Sequence, residues 1–167
     1  MAKETRTSHR SIIKRKIEES ITILKAFGMP REQTNERSAL TLLALLGLKP
    51  NTPWAQSTSP LMGITPLMDY FAMHYRKKYA PNSRETVRRY TIHQFEQAGI
   101  VVKNPDRVRA TNSPDNVYQI EASTQELLKT FGTSRWETNL AAYFQTRETL
   151  KKRYAAERLM HALPVVL

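Results

Sequence analysis

The stretch Tyr79–Asp106, YAPNSRETVRRYTIHQFEQAGIVVKNPD, decides the fold. After Pro81, Asn82 and Ser83 form a candidate capping pair. A helix is expected from about Arg84 to Ala98, closed by Gly99 where a left-handed residue is wanted. At about 100° per residue, Val87, Thr91, Phe95 and Ala98 fall on one face, and Glu85, Thr86, Arg89, His93 and Glu96 on the other. Ile100-Val101-Val102 then reads as a short strand and Val117-Tyr118-Gln119-Ile120 as its partner. Between them lies the polar segment Asn104 to Asn116, with Arg107, Arg109 and two prolines. Helix, helix, strand, long basic loop, strand is the pattern of a winged helix-turn-helix, so the expected class is mainly α with a small β-hairpin wing.

Upstream, Thr65 before Pro66 marks the start of the preceding helix, with Pro66 at the first helical position and Leu67, Met68, Phe71 and Tyr75 facing inward. Residues 49–64, rich in Pro and Ser, form a long connection that Trp54 and Leu61 are expected to pin. Asn35 can cap a helix through Leu46 whose leucines point in all directions, as in a helix buried at the centre of a domain. From Ser11 to Phe27, Ile13, Ile17, Ile21, Leu24 and Phe27 recur at three- and four-residue steps, an amphipathic helix ended by Gly28 and Pro30. Downstream, Ser123 with Glu126 and Ser134 with Glu137 read as two capping boxes. The last helix, from about Arg135 to Ala162, would be about 40 Å long, too long for so small a domain to cover, and suits a connector or dimer arm. Pro164-Val165-Val166-Leu167 begins an apolar run with no polar tail, so a longer gene product is expected. The organisation is therefore a basic arm and first helix (1–34), a winged helix-turn-helix (35–132) and a long C-terminal helix (133–167).

The 167 residues allow one core, alone or with a helical extension, and 40% hydrophobic content is enough to fold it. Lys and Arg number 26 against 15 Asp and Glu, a formal +11 that points to a polyanionic partner, nucleic acid first. The excess is clustered. Residues 1–16 carry six basic side chains against one acidic, residues 76–109 nine against three, and residues 147–158 five against two. Clustering favours a binding face, although a solvated helix face is the plainer alternative for any one segment.

No cysteine is present, which excludes disulfides, thiolate metal sites and cysteine nucleophiles. The longest apolar stretch, Ala39 to Leu48, is far short of a membrane span, and charges from Lys14 to Glu19 rule out a signal-type apolar block, so a cytoplasmic protein is expected. His9, His74, His93 and His161 lack zinc spacing. The five glycines are scattered singly, without a phosphate loop or a GxSxG elbow. Pro105-Asp106 and Pro114-Asp115 supply the first half of a metal-dependent nuclease motif, but no acidic-x-Lys triplet follows either. No catalytic centre and no metal site are expected in these residues.

The segments Asn35–Trp54 (NERSALTLLALLGLKPNTPW), Gly63–Phe71 (GITPLMDYF), Tyr79–Asp106 and Thr111–Ile120 (TNSPDNVYQI) together resemble the N-terminal helix-turn-helix region of the BsuBI/PstI family of type II restriction endonucleases, over about residues 25–167. The resemblance implies cleavage of a short DNA palindrome by a magnesium-dependent nuclease domain lying C-terminal to this region, and a homodimer in the full enzyme.

Three roles follow. As the target-recognition region of such an enzyme, the chain would set helix 84–98 in the major groove. Thr86, Arg89 and His93 are then the candidates for base contact. Asn82, Ser83, Arg84 and Arg88 suit phosphates, unless Arg88 only pairs with Glu85 and Ser83 only caps. Lys103, Arg107 and Arg109 would reach the backbone or minor groove. Alternatively the chain is a stand-alone winged-helix regulator without nuclease activity. A third possibility is a structural or dimerisation module with Tyr143, Leu150, Tyr154 and Leu159 as its contact surface.

Overall fold

A computed structural model of the chain describes the backbone of residues 2–147 and the side chains of residues 8–147. The fold is built on α2 (Glu36–Leu45), in which every residue from Ser38 to Leu45 is buried. Its start is as the sequence predicts: the Asn35 side chain accepts a hydrogen bond from the Ser38 amide. α1 (Ala2–Ala26) packs on it through Ile23 and Leu24, both fully buried, and Ser20 Oγ donates to the Ala39 carbonyl at 2.9 Å. α1 begins nine residues earlier than its apolar repeat does, and residues 8–12 ahead of the repeat's first inward position are exposed. One member of the basic arm turns inward: Lys16 is buried, donates to the Thr52 carbonyl at 2.6 Å and lies 5.2 Å from the Trp54 ring centre. Burial lowers its pKa, against the raising effect of Glu19.

The connection 49–64 crosses the surface, fixed by buried Trp54, whose ring meets Phe131 edge-on. Leu61, expected to share that task, is instead exposed. At Gly47, with φ +62°, a side chain would also collide with Thr58 Oγ1, so glycine is required where this connection turns back on α2. α3 (Ile64–Tyr75) starts two residues before the expected Pro66 position, with Gly63 rather than Thr65 preceding it. Pro66 still sits within the first turn, where its missing donor costs nothing. Leu67, Phe71 and Tyr75 are buried on α2, and the Tyr75 hydroxyl donates to the Leu48 carbonyl at 2.6 Å.

The expected helix after Pro81 is three joined stretches: α4 (Arg84–Val87), a π-helical turn (Arg88–Ile92) and α5 (His93–Gln97). Its inner side buries Val87, Thr91, Ile92 and Phe95, and Gly99 closes it at φ +76°. β1 (Val101–Lys103) and β2 (Tyr118–Ile120) pair antiparallel, with Val101 opposite Ile120 and Lys103 opposite Tyr118. Met62 exchanges two 2.9 Å backbone hydrogen bonds with Tyr118, so the connection lends the hairpin a third, single-residue rung.

α6 (Ala122–Leu128) is not capped by Ser123 with Glu126. Glu121 caps it, its carboxylate accepting from the amides and hydroxyls of Ser123 and Thr124. Burial opposes the charge on Glu121, but those hydrogen bonds outweigh it and hold the carboxyl below its ordinary range. A last helix, α7, runs over 136–147; at its start Thr133, rather than Ser134, accepts from the Arg135 amide. Tyr143 of α7 is buried, stacked on Phe27 at 5.4 Å and hydrogen-bonded to Thr124 at 2.8 Å, so it belongs to the core and not to a contact surface. Leu150, Tyr154, Leu159 and His161 lie outside the described residues, as does the expected continuation of the last helix to Ala162.

Candidate nucleic-acid interface

The rod formed by α4, the π turn and α5 has one buried side and one wet side. Arg84, Glu85, Arg88, Arg89, Tyr90, His93, Glu96 and Gln97 are all exposed, and Thr86 is half-buried. Arg37 of α2 donates through Nε to Thr91 Oγ1 at 2.9 Å, tying the middle of the rod to the central helix. Burial raises the pKa of the Tyr118 phenol in β2, Glu96 adds to the rise and Arg88 opposes it, which sets one flank of the rod beside the hairpin.

The candidate phosphate contacts sort into two groups. Asn82 and Ser83 lie in a 3-10 turn (Pro81–Ser83) that leads straight into α4. Ser83 makes no capping hydrogen bond there, because it is already in the helical conformation, so the expected capping pair is absent. Arg84 is exposed. Arg88 holds Glu85, with Nε to Oε2 at 3.1 Å and a second bond to Oε1, and Arg89 lies 4.0 Å from the same carboxylate. The hydrogen bond from Arg88 holds the Glu85 carboxyl below its ordinary range, and the Arg88 guanidinium is correspondingly raised. The alternative that Arg88 pairs with Glu85 is thus realised, and with both side chains about half exposed the pair is a weak, solvated one. His93 sits 3.2 Å from Gln97 Nε2 on the exposed side.

Arg107 and Arg109, two residues apart in the β1–β2 loop, have different roles. Arg109 is only 9% exposed at its side chain and grips Asp106 at 2.7 and 3.0 Å while also donating to Asn104 Oδ1 at 3.1 Å. The hydrogen bond from Arg109 lowers the Asp106 pKa to about 2. Asn104, at φ +50°, accepts from the Val117 amide and donates to Asn116 Oδ1, and Asn116 donates to the Thr111 carbonyl. Lys103 Nζ reaches that same carbonyl at 3.3 Å. Arg109 and Lys103 therefore brace the loop, whereas Arg107 and the 97% exposed Val108 project from it. The bracing residues Asn104, Asp106 and Asn116 escape sequence reasoning; Asp-x-x-Arg spacing was the one visible hint.

Among the described residues no group of three or more His, Asp or Glu side chains could hold a metal ion, and no helix is long and apolar enough to cross a membrane.

Comparison with known proteins matches this geometry to restriction enzymes. The type II restriction enzyme BsuBI of Bacillus subtilis is 51% identical over 150 residues, 89% of this chain and 48% of that protein. The type II restriction enzyme AplI of Arthrospira platensis is 31% identical over 147 residues, 88% of this chain and 45% of that protein. In three dimensions the SdaI restriction endonuclease superposes with a TM-score of 0.75 at 36% identity, covering 84% of this chain and 46% of SdaI. The chain thus spans about half the length of the curated relatives it matches. With a family-model match over residues 14–152, the chain belongs to the BsuBI/PstI restriction endonuclease HTH domain family.

Proposed function

We propose that this chain binds double-stranded DNA as the target-recognition region of a type II site-specific restriction endonuclease. The observation that carries the reading is the rod of residues 84–97, which buries Val87, Thr91, Ile92 and Phe95 while exposing Arg84, Arg88 and Arg89, in a chain of a restriction-endonuclease HTH family. In this reading α3 and the rod are the helix-turn-helix pair, and the rod enters the major groove. Arg89, Thr86 and His93 face base edges, and Asn82, Ser83, Arg84 and Arg88 face phosphates. The β1–β2 loop is the wing, with Arg107 as its DNA contact and Lys103 and Arg109 as its braces.

The division into a basic arm and first helix (1–34), a winged helix-turn-helix (35–132) and a connecting helix (133–167) belongs to the same proposal. So does a magnesium-dependent nuclease domain C-terminal to residue 167. The described residues do not fit the magnesium ion, since they bring no carboxylate cluster together, and hydrolysis is assigned to that other domain. A palindromic target read by a two-fold homodimer completes the reading.

The test is a titration of the chain against a palindrome enriched from a randomised duplex library and against scrambled duplex, at two salt concentrations. Preference for the palindrome supports target recognition, and absence of duplex binding at low salt overturns it. Arg89→Ala is expected to weaken palindrome binding far more than scrambled binding. Arg107→Ala is expected to weaken both and to reduce the salt slope by about one.

A further inference from the structure

The π turn rearranges the face of the rod. Measured from Val87, a regular α-helix would set Tyr90 about 60° away, at the edge of the buried face, and Ile92 about 140° away, toward solvent. The π turn, in which the His93 amide donates to the Arg88 carbonyl five residues back, advances each residue by about 80–85° instead. Tyr90 then falls about 115° from Val87 and Ile92 about 50° from it. Exposure agrees: Ile92 is 1% exposed and Tyr90 50%. One extra residue in the turn therefore exchanges a tyrosine for an isoleucine at the core and adds the tyrosine to the arginine-bearing side.

Tyr90 is the exposed tyrosine among the described residues; Tyr75, Tyr118 and Tyr143 are buried, and Tyr70 and Tyr79 half-buried. Among the described residues no hydrogen bond, ring contact or ion pair holds its side chain, whereas its neighbours Arg88 and Arg89 are both drawn to Glu85. Thr91, the next residue, is fixed by Arg37, so the backbone that aims the ring is anchored while the ring itself is free. A rigid, two-torsion aromatic placed this way contributes contact area at small entropic cost.

We propose that Tyr90 is a specificity-determining residue that lays its ring against the C5 edge of a pyrimidine in the major groove, and that the π turn is what presents it. The inference rests on the rod being the DNA-reading element. Apolar contact at the pyrimidine 5-position discriminates bases because thymine carries a methyl group there that other bases lack.

The experiment is selection from a duplex library with a randomised core, using the chain and its Tyr90→Ala and Tyr90→Phe variants, with thermal unfolding to compare their folding. Tyr90→Ala should unfold like the parent, bind random duplex within twofold, and lose about tenfold in affinity for the parental consensus through relaxation at one position. Tyr90→Phe keeps the ring and should retain the consensus. Replacing thymine by uracil, or cytosine by 5-methylcytosine, at the relaxed position should alter binding by the parent but not by Tyr90→Ala. An unchanged Tyr90→Ala consensus overturns the inference, as does equal weakening on all duplexes or a Tyr90→Phe variant as impaired as Tyr90→Ala. A parent that binds duplex but enriches no consensus overturns base reading by Tyr90 while leaving DNA binding intact. A parent that binds no duplex brings down the functional reading as well.

Discussion

From Ser38 to Leu45 every residue of α2 is buried, whereas from Asn104 to Val117 no residue of the β1–β2 loop is. α2 is held by apolar contact on all sides and touches α1, α3, the π turn and β2. The loop is held by a chain of polar contacts: Asn104 to Val117, Asn116 and Arg109, Arg109 to Asp106, and Asn116 to Thr111. Burial fixes position without caring which atom meets which, and hydrogen bonds fix direction at little net gain per bond. A scaffold can be built the first way. A loop that must keep its shape while leaving Arg107 and Val108 in solvent has only the second.

The comparison predicts unequal costs. Leu43→Ala in α2 should lower stability by about 2–5 kcal/mol, since removing a fully buried leucine leaves a cavity in close-packed surroundings. Urea unfolding measures it, and a loss below about 1 kcal/mol would mean that α2 is less tightly enclosed than its burial indicates. Asn104→Ala should cost less, about 1–3 kcal/mol, because the Val117 amide loses its acceptor and alanine resists the positive φ. Its effect should also be local: faster hydrogen exchange at Val117 with unchanged exchange in α2. Equal acceleration in both regions would show that loop and core open together.

The same contrast explains what could be read from the sequence. α2 was legible because all-round leucine at helical spacing has few other solutions, and the Asn35 cap was legible because its partner is three residues away. The rod was legible to its ends, yet its π turn was not. A single inserted residue leaves Val87, Thr91 and Phe95 in place and moves only Tyr90 and Ile92, so the periodicity still looks regular. Glu121 displaced the expected Ser123 cap because the helix already starts at Ala122, so the free amides of its first turn are those of Ser123 and Thr124, which the Glu121 carboxylate accepts from. In the loop, Arg107 and Arg109 carry the same side chain in the same basic context. What separates them is Asn104 and Asp106, and only folding reveals which arginine those acceptors take.

The smallest expected effect separates loop from core by pH alone. The Arg109 hydrogen bonds hold Asp106 at about 2, below the ordinary aspartate value near 3.9. A carboxyl depressed in the folded state contributes stability that is fully present above its unfolded pKa and is lost as pH falls through the folded one. The brace is therefore complete above about pH 4 and weakens between pH 4 and 2. The pair is confined to the β1–β2 loop and its carboxylate is partly exposed, so the change should appear in the loop and barely in global stability. Side-chain carboxyl NMR should give an Asp106 midpoint near 2, moving back toward 3.9 in Arg109→Gln, while α2 signals stay constant through the same titration. An Asp106 midpoint that Arg109→Gln leaves in place would transfer the depression to the loop amides and remove Arg109 as the brace. Arg109 would then stand beside Arg107 as a second free cation, and the contrast between a braced loop and a packed helix would rest on the asparagines alone.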